Sequence, residues 1–285
     1  DESESRGLGD VYKRQELQQR CRTLQRWAGQ PILLCADVEE GVGQRFEGAS
    51  WLVPPMALGR LHRRAPQQAV QLAENYGRCC GNQAKRCGLN WVLAPVCDVN
   101  SNPDNPVINV RAWGEDPHTV GELTGAFQRG LAATGVLGCA KHFPGHGDTA
   151  TDSHLELPLL QHSRERLESL ELQPFRTLIQ EGVSSVMTAH LLIPALDEQW
   201  PATLSANVLT TLLRVDLGFK GLVVTDALVM EAIAARYGAG EAAVLAFAAG
   251  ADLILMPADA VAAIDALCDA FSSCLLYTSP SPRDS

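Results

Sequence analysis

Six apolar runs are spaced along the chain and alternate with longer segments in which apolar residues recur at helical spacing. The runs cover residues 31–36, 90–96, 135–140, 184–190, 221–225 and 251–256. Because they are apolar at nearly every position rather than at alternate positions, we interpret them as strands buried on both faces. Strands covered in this way are typical of a parallel sheet, so the pattern predicts an α/β fold.

Helical periodicity fills the intervals between these runs. The predicted helices cover residues 16–27, 66–87, 118–134, a segment that starts at Ser163, a segment that ends at Gly218, 231–249 and 260–271. Ser163 is a typical N-cap, and Glu165 and Glu168 lie in the early turns that follow it. Gly238 and Gly240 indicate a break within the helix at 231–249.

Polar residues stand at the carboxyl ends of the apolar runs. They are Asp37, Asp98, Lys141, His142, His190 and Asp226. Parallel strands present these ends on one side of the fold, which is where the active site of a TIM (β/α)8 barrel lies. The pattern favours this barrel over an open doubly wound sheet, and no G-x-G-x-x-G or P-loop sequence offers a nucleotide site. Six strands are two fewer than eight, so we expect the barrel to be incomplete at both ends.

The two ends of the chain differ in character from the rest. Residues 8–15 and 274–285 resemble translated sequencing-adapter sequence. We therefore expect a non-native leader at residues 1–15, a catalytic barrel at residues 16–273 and a non-native tail at residues 274–285. An additional C-terminal domain, absent from this sequence, is compatible with this division.

Composition and charge restrict the partners. The net charge is −10 and no basic block is present, which argues against nucleic acid and anionic membrane surfaces as partners. No apolar run approaches the length of a membrane span. The nine cysteines show no spacing typical of a zinc site. We expect all of them to be free thiols, which favours a reducing, cytoplasmic compartment.

The segment after the third apolar run is the richest in reactive side chains. Residues 141–154 contain one lysine, three histidines and two aspartates, and a proline and two glycines exclude a regular helix there. Asp152 and His154 are two positions apart, a spacing that lets a carboxylate orient an imidazole for acid/base catalysis. A metal site formed by His142, His146 and His154 is a second interpretation, and a purely structural loop is a third.

The sequence KHFPGHGDT at 141–149, followed by DSH at 152–154, resembles the signature loop of glycoside hydrolase family 3. The resemblance is to the β-N-acetylglucosaminidase branch of that family. It implies that His154 is the acid/base of the reaction and that Asp152 lies behind it. In this branch the histidine takes the place of the carboxylic acid that most glycosidases use.

The same resemblance assigns the rest of the site. It implies that Asp226 is the nucleophile, because the family carries its nucleophilic aspartate at the end of such a strand. The sugar-binding residues that it implies are Asp37, Arg45, Arg111, Lys141, His142 and His190. An aspartate accepts two hydroxyl protons and an arginine donates in a fixed fork, which suits hydroxyl recognition. Glu40, Gly43 and Ala227 depart from the residues usual in the family.

These implications describe a retaining exo-β-N-acetylglucosaminidase that needs no metal or organic cofactor. Its expected substrate is a small carbohydrate, for example a fragment released in peptidoglycan recycling. A β-glucosidase or a glycoside phosphorylase is the alternative within the family, and a metal-dependent barrel hydrolase is the alternative from another class. We expect His146 and Asp148 to order the signature loop, and His62, His118 and His162 to lie at the surface.

Overall fold

The computed structural model describes residues 14–46, 49–150 and 157–273. Its strands are β1 Cys35–Ala36, β2 Trp91–Val92, β3 Cys139–Phe143, β4 Ser185–Thr188 and β5 Leu222–Val224. All pairings are parallel: β1 pairs with β2, and β4 lies between β3 and β5. Isolated parallel bridges join Trp91 to Leu137 and Val224 to Leu253. Six segments therefore lie side by side in chain order, as in a TIM-barrel-like α/β fold.

The strands fall at or beside the predicted runs but are shorter than predicted. The sixth predicted strand was wrong in extent, because only a single bridge at Leu253 remains of it. The third lies further along the chain than predicted, so Lys141 and His142 belong to the strand and not to the loop after it. The reason is pairing on both sides, since backbone N–H groups donate to the carbonyl oxygens of Lys141 and Phe143 at 2.6 and 2.7 Å. Within the described ranges the six segments do not close into a barrel.

Helices occupy the intervals between the strands, as predicted. They are α1 Arg14–Ala28, α2 Met56–His62, α3 Pro66–Cys87, α4 Pro117–Ala132, α5 Arg164–Arg166, α6 Gln173–Gln180, α7 Glu231–Ala234, α8 Ala239–Ala249 and α9 Ala260–Ser272. π-helical segments at Leu167–Glu171 and Asn207–Asp216 replace parts of two predicted α-helices. The predicted cap is confirmed, because Ser163 Oγ accepts a hydrogen bond from the Arg166 N–H at 3.3 Å. The break predicted at Gly238 and Gly240 is also confirmed, because α7 ends at Ala234 and α8 begins at Ala239.

Helices α3 and α4 meet through their backbones. A Cβ atom on Gly77 would lie 2.0 Å from the carbonyl oxygen of Phe127, and one on Gly130 would lie 1.9 Å from that of Glu74. Only glycine permits so close an approach. The Trp113 ring packs edge-on against Phe127 at a centroid distance of 5.5 Å in the same cluster. This packing holds both helices against β2, whose carboxyl end leads into the site.

The described cysteines and histidines test two further expectations. All eight described cysteines are free thiols, as predicted, and Cys274 lies outside the described residues. The surface position predicted for His62 was wrong, because this residue is buried with its Nε2 atom 2.7 Å from Glu122 Oε2. His118 is exposed, as predicted, and His162 is half-buried. None of the helices in the described ranges is long and apolar enough to cross a membrane.

Candidate active site

The carboxyl ends of the parallel strands bring most of the predicted residues to one side of the sheet. Asp37 follows β1 directly, Lys141 and His142 belong to β3, and His190 follows β4 by two residues. Asp226 follows β5 by two residues in the same way. The Lys141–His142 and Phe143–Pro144 peptide bonds are both cis. The predicted clustering at this edge is therefore what the parallel pairing produces.

Lys141 lies at the centre of a buried charge network. Its side chain is 2 % exposed, and its Nζ atom is 2.7 Å from Asp37 Oδ1 and 2.6 Å from Glu39 Oε1. Burial by itself would lower the pKa of this amine, but the carboxylates of Asp37 and Glu39 outweigh it and raise the pKa above its ordinary value. Lys141 is therefore a fixed cation between two fixed anions.

Glu39 joins Arg111 to this network. The Arg111 guanidinium donates to both Glu39 oxygens, from Nε at 2.9 Å and from Nη2 at 2.7 Å, in a bidentate geometry. Burial would raise the pKa of Glu39, but Lys141 and Arg111 hold it well below its ordinary value. The sequence alone predicts no role for Glu39. The available signal was a second acidic residue two positions after Asp37, beyond the end of the same strand.

Arg45 closes the network on its solvent side. Its Nη2 atom donates to Asp37 Oδ2 at 3.2 Å, and its side chain is half exposed. The loop between them is shaped by Gly43, where a Cβ atom would lie 2.5 Å from the carbonyl oxygen of Ala49. Glu40 turns away from the network and accepts a hydrogen bond from Trp51 Nε1 at 2.7 Å. The two departures from the family pattern in this loop thus leave Asp37 and Arg45 in contact.

Asp98 orients the His142 ring through a hydrogen bond to its Nδ1 atom. The carboxylate is completely buried and accepts from His142 Nδ1 at 2.7 Å and from the His146 backbone N–H at 2.6 Å. Burial would raise the pKa of Asp98, but the two histidines lower it, so the group is ionised and can only accept. His142 Nδ1 is therefore the donor, and Nε2 is the nitrogen left for a ligand. The sequence marked Asp98 as a strand-end carboxylate but did not predict this partner.

His146 orders the loop, as expected. Its Nδ1 atom lies 2.8 Å from Thr149 Oγ1, and its carbonyl oxygen accepts from Asn105 Nδ2 at 2.8 Å. Burial lowers the pKa of His146 to about 4, although the nearby Asp98 carboxylate opposes this change. The ring is therefore neutral at neutral pH. Its centroid lies 6.0 Å from that of His142.

Asp226 lies next to these groups at the end of β5. Its Oδ1 atom accepts from the Ala227 N–H at 2.8 Å. Burial would raise its pKa, but the neighbouring His142 and His190 and this N–H lower it. The His190 ring is buried and contacts the protein through both nitrogens, with Nδ1 2.8 Å from Thr203 Oγ1 and Nε2 3.0 Å from the Ala227 carbonyl oxygen. An ionised, half-buried carboxylate in this position has the chemistry of a nucleophile.

Two predicted residues cannot be placed. Asp152 and His154 lie outside the described residues. His154 is also the third ligand in the metal interpretation. Of the other two ligands in that interpretation, His142 bonds to Asp98 through Nδ1, and the His146 ring lies 2.8 Å from Thr149 Oγ1 through its Nδ1 atom. Among residues 14–46, 49–150 and 157–273, no group of three or more histidine, cysteine, aspartate or glutamate side chains is arranged to hold a metal ion.

Comparisons with known proteins show which family the chain resembles. The sequence model of the glycosyl hydrolase family 3 N-terminal domain matches residues 5–278. The beta-hexosaminidase A of Pseudoalteromonas piscicida is 39 % identical over 241 residues, which cover 80 % of this chain and 40 % of that protein.

Two solved structures share the fold. A family 3 β-N-acetylglucosaminidase from Paenibacillus sp. is 44 % identical with a TM-score of 0.85, over 92 % of this chain and 52 % of that one. The beta-glucoside phosphorylase BglX is 28 % identical with a TM-score of 0.87, over 93 % of this chain and 49 % of that one. The chain thus spans about half the length of these relatives.

Proposed function

Because residues 5–278 match its N-terminal domain, the chain belongs to glycosyl hydrolase family 3, and we propose that it acts as a retaining exo-β-N-acetylglucosaminidase. The observation that carries this proposal is the network of Asp37, Glu39, Arg111 and Lys141 beside the ionised Asp226. It combines hydroxyl-binding charges with a carboxylate nucleophile at one strand-end edge. The β-hexosaminidase and β-N-acetylglucosaminidase relatives support this substrate class.

In the proposed reaction Asp226 attacks the anomeric carbon and forms a covalent glycosyl ester. The lowered pKa of Asp226 keeps it ionised for this step. His154, oriented by Asp152, gives its proton to the leaving oxygen as that bond breaks. It then takes a proton from the water that hydrolyses the ester, which returns both groups to their starting states. In retaining glycosidases that use two carboxyl groups, those groups lie about 5–5.5 Å apart.

The charge network is proposed to bind the sugar in the first subsite. Asp37 accepts from two hydroxyls, and Lys141 and Arg45 donate to sugar oxygens. Arg111 is engaged at both ends of its fork by Glu39, so we assign it to fixing Glu39 and Lys141 as well as to binding. His142 donates to Asp98 through Nδ1, which leaves Nε2 for a hydroxyl. His190 contacts Thr203 and Ala227 through its two ring nitrogens, so we assign it to bordering the subsite at the Asp226 side.

The proposal also covers the complete fold and the natural substrate. The six parallel segments are proposed to belong to an eight-stranded TIM barrel, with residues 16–273 as the share carried by this chain. The natural substrate is proposed to be a small carbohydrate with a terminal β-linked N-acetylglucosamine, such as a peptidoglycan fragment.

The test is turnover of 4-nitrophenyl β-N-acetylglucosaminide and of the matching β-glucoside by the purified protein and by Asp226→Asn. We expect the first substrate to be preferred and the variant to lose at least about 10³-fold in kcat, since the nucleophile is removed. Asp197→Asn is the control, because Asp197 also has a lowered pKa but accepts from the Gln199 and Trp200 N–H groups of its own turn. Unchanged turnover in Asp226→Asn would remove Asp226 from the mechanism.

The phosphorylase alternative has an observation of its own in the likeness to BglX. Addition of inorganic phosphate separates the two reactions. A phosphorylase releases the sugar as its 1-phosphate, whereas a hydrolase releases free sugar at an unchanged rate. We expect free sugar. Preference for the glucoside would move the specificity while keeping the mechanism, and loss of activity only on treatment with a chelator would favour the metal-dependent alternative.

A further inference from the structure

His190 lies at the junction between β4 and the loop that carries Asp226. It follows β4 by two positions and is 1 % exposed. The pairing of β4 with β5 ends at Met187 and Val224. Beyond that point, His190 Nε2 lies 3.0 Å from the Ala227 carbonyl oxygen. A side chain therefore continues the connection between these two strands past the end of their backbone pairing.

The atoms that the ring contacts decide which nitrogen carries a proton. A carbonyl oxygen can only accept, so His190 Nε2 is protonated and donates to Ala227. The other nitrogen, Nδ1, lies 2.8 Å from Thr203 Oγ1. A hydroxyl can donate to a neutral imidazole at this position and can accept from a protonated one. The donor at Nε2 is therefore the same in both charge states of the ring.

Thr203 is itself fixed against the end of β4. The residue is completely buried, and its Oγ1 atom lies 2.9 Å from the Ala189 carbonyl oxygen and 2.8 Å from Thr188 Oγ1. Its hydrogen points at Nδ1 when the His190 ring is neutral and at the Ala189 carbonyl oxygen when the ring is protonated. The ring is therefore held from the β4 side by Thr203 and reaches Ala227 from a fixed position.

Ala227 connects this ring to the proposed nucleophile. Its N–H donates to Asp226 Oδ1 at 2.8 Å, and its carbonyl oxygen accepts from the Met230 N–H at 3.0 Å as well as from His190. Both polar groups of one residue are thus engaged, one by the nucleophile and one by the histidine. Because a carboxylate is planar, a bond that fixes one of its oxygens also fixes the direction of the other.

The Asp226 loop is also attached to the sixth apolar segment. The Thr225 N–H donates to the Leu253 carbonyl oxygen, and the Leu228 N–H donates to that of Leu255, both at 3.0 Å. These bonds hold the loop on the side of that segment, whereas the bond from His190 holds it on the β4 side. Loss of the His190 bond would therefore leave the loop attached but free to shift away from β4.

We propose that His190 is a positioning residue, which through Ala227 sets the orientation of the Asp226 carboxylate for attack on the anomeric carbon. The inference rests on the proposed function, because it concerns the step assigned there to Asp226. Misplacement of a reacting group by about 1 Å costs on the order of 100-fold in rate. Loss of the donor at Nε2 should therefore slow the formation of the glycosyl ester without abolishing it.

The experiment measures ester formation alone. The probe is the β-configured 5-fluoro-N-acetylglucosaminyl fluoride, whose fluoride leaves as a stable anion without help from an acid. The Asp226 carboxylate displaces this fluoride, and the 5-fluoro substituent slows hydrolysis of the ester that results. Mass spectrometry of the intact protein gives both the rate of labelling and its final extent. Because the acid/base takes no part in this step, the rate reports on the nucleophile.

Two substitutions at His190 separate the donor from the ring. Glutamine carries its amide nitrogen about as far from the backbone as Nε2, whereas asparagine reaches only about as far as Nδ1. We expect His190→Asn to be labelled to completion at a rate at least about 10-fold below that of the wild type, and His190→Gln to stay within about 3-fold. His62→Asn is the matched control, because His62 also contacts a threonine hydroxyl through Nδ1 and an acceptor, Glu122, through Nε2, but it joins α2 to α4. The control should be labelled at the wild-type rate.

Rate and extent separate positioning from loss of structure. An unfolded fraction lowers the extent of labelling and leaves the rate of the remainder unchanged, whereas a displaced carboxylate lowers the rate and leaves the extent complete. Three results would overturn the inference and leave the proposed function in place. They are a wild-type rate in His190→Asn, incomplete labelling of His190→Asn at the wild-type rate, and labelling of His190→Gln that is as slow as that of His190→Asn.

The proposed function is tested by the same probe. If the unaltered protein is not labelled, the proposed function fails and this inference fails with it. Should His190→Asn not fold, Thr203→Val is compared with Thr203→Ser, because only serine keeps the hydroxyl that holds Nδ1. Slower but complete labelling of the valine variant alone would support the inference, and equal rates in the two variants would overturn it.

Discussion

The substitution Asp98→Asn is the sharpest test of how the site is held together. Asp98 is completely buried, and its two oxygens accept from His142 Nδ1, from the His142 backbone N–H and from the His146 backbone N–H. Asparagine keeps the shape but offers only one acceptor oxygen. Its NH₂ group must then face a donor, whichever way the amide is turned.

The magnitude follows from the number and kind of bonds lost. A hydrogen bond to a charged group contributes about 1.5–3 kcal/mol, and asparagine cannot accept from all three donors, so a loss of about 3 kcal/mol follows. A chain of this size loses roughly 2 °C in Tm per kcal/mol, so we expect the variant to melt at least about 6 °C below the wild type. If the amide faces His142, its ring must accept at Nδ1 and donate at Nε2, which reverses the polarity offered to the ligand. A wrong histidine tautomer lowers kcat by about 10⁴-fold in the serine proteases, and we expect at least about 10²-fold here.

The assay pairs thermal unfolding with kinetics on 4-nitrophenyl β-N-acetylglucosaminide across pH. The folded-state pKa of Asp98 is lowered from its ordinary value of 3.8. Its contribution to stability is therefore complete above about pH 4 and is lost as the pH falls through the folded-state pKa. The stability difference between wild type and variant should accordingly shrink below pH 4. A variant with wild-type Tm and kcat, or a stability difference that grows on acidification, would refute this account of Asp98.

Three further predictions follow from the same structure. Gly130→Ala places a methyl group against the α3 backbone and should cost about 1–3 kcal/mol in urea unfolding, whereas Gly238→Ala, which meets open space, should not. Lys141→Met leaves Glu39 with one cation instead of two and should lower the free energy of unfolding by about 3–5 kcal/mol. A urea unfolding midpoint equal to that of the wild type would contradict this. The His146 imidazole should titrate by NMR at a pKa of about 4. Because that pKa is depressed, its contribution to stability should be complete above about pH 6.5 and fall as the pH drops toward 4.

The alternation of apolar runs with helical segments was enough to predict the order of the elements. It was less reliable for their ends. Lys141 and His142 were predicted to follow their strand because charged residues rarely lie inside one. They belong to β3 because neighbouring strands pair with the backbone on both sides. In addition, Asp37 and Glu39 neutralise Lys141, and Asp98 accepts a hydrogen bond from His142. A single sequence carries no information about those distant partners.

Glu39 and Asp98 illustrate the same limit within the site. Each was visible as a carboxylate near a strand end, but neither belonged to a motif that would give it a role. Their roles come from contacts with Arg111 and His142, which lie far away in the sequence. The prediction for His62 was wrong for a related reason. A histidine without a motif was placed at the surface, but His62 is buried and its Nε2 atom contacts Glu122. Spacing predicts local chemistry, whereas pairing between elements depends on the fold.

Charge has two proposed roles in this site, binding of the sugar and ionisation of the nucleophile, and they explain why the site contains so many ionic groups. The proposed substrate, a neutral sugar, offers no charge to balance, so each cation proposed to donate to one of its hydroxyls needs its own anion when the site is empty. Lys141 has Asp37 and Glu39, and Arg111 has Glu39. These partners keep the donors ionised and fixed before any substrate arrives, so little ordering remains to be done on binding. His142, His190 and the Ala227 N–H lower the pKa of Asp226, and Lys141 adds to their effect, which keeps the proposed nucleophile ionised inside a partly buried site. Binding and reactivity therefore depend on one network, and a substitution such as Lys141→Met should affect both.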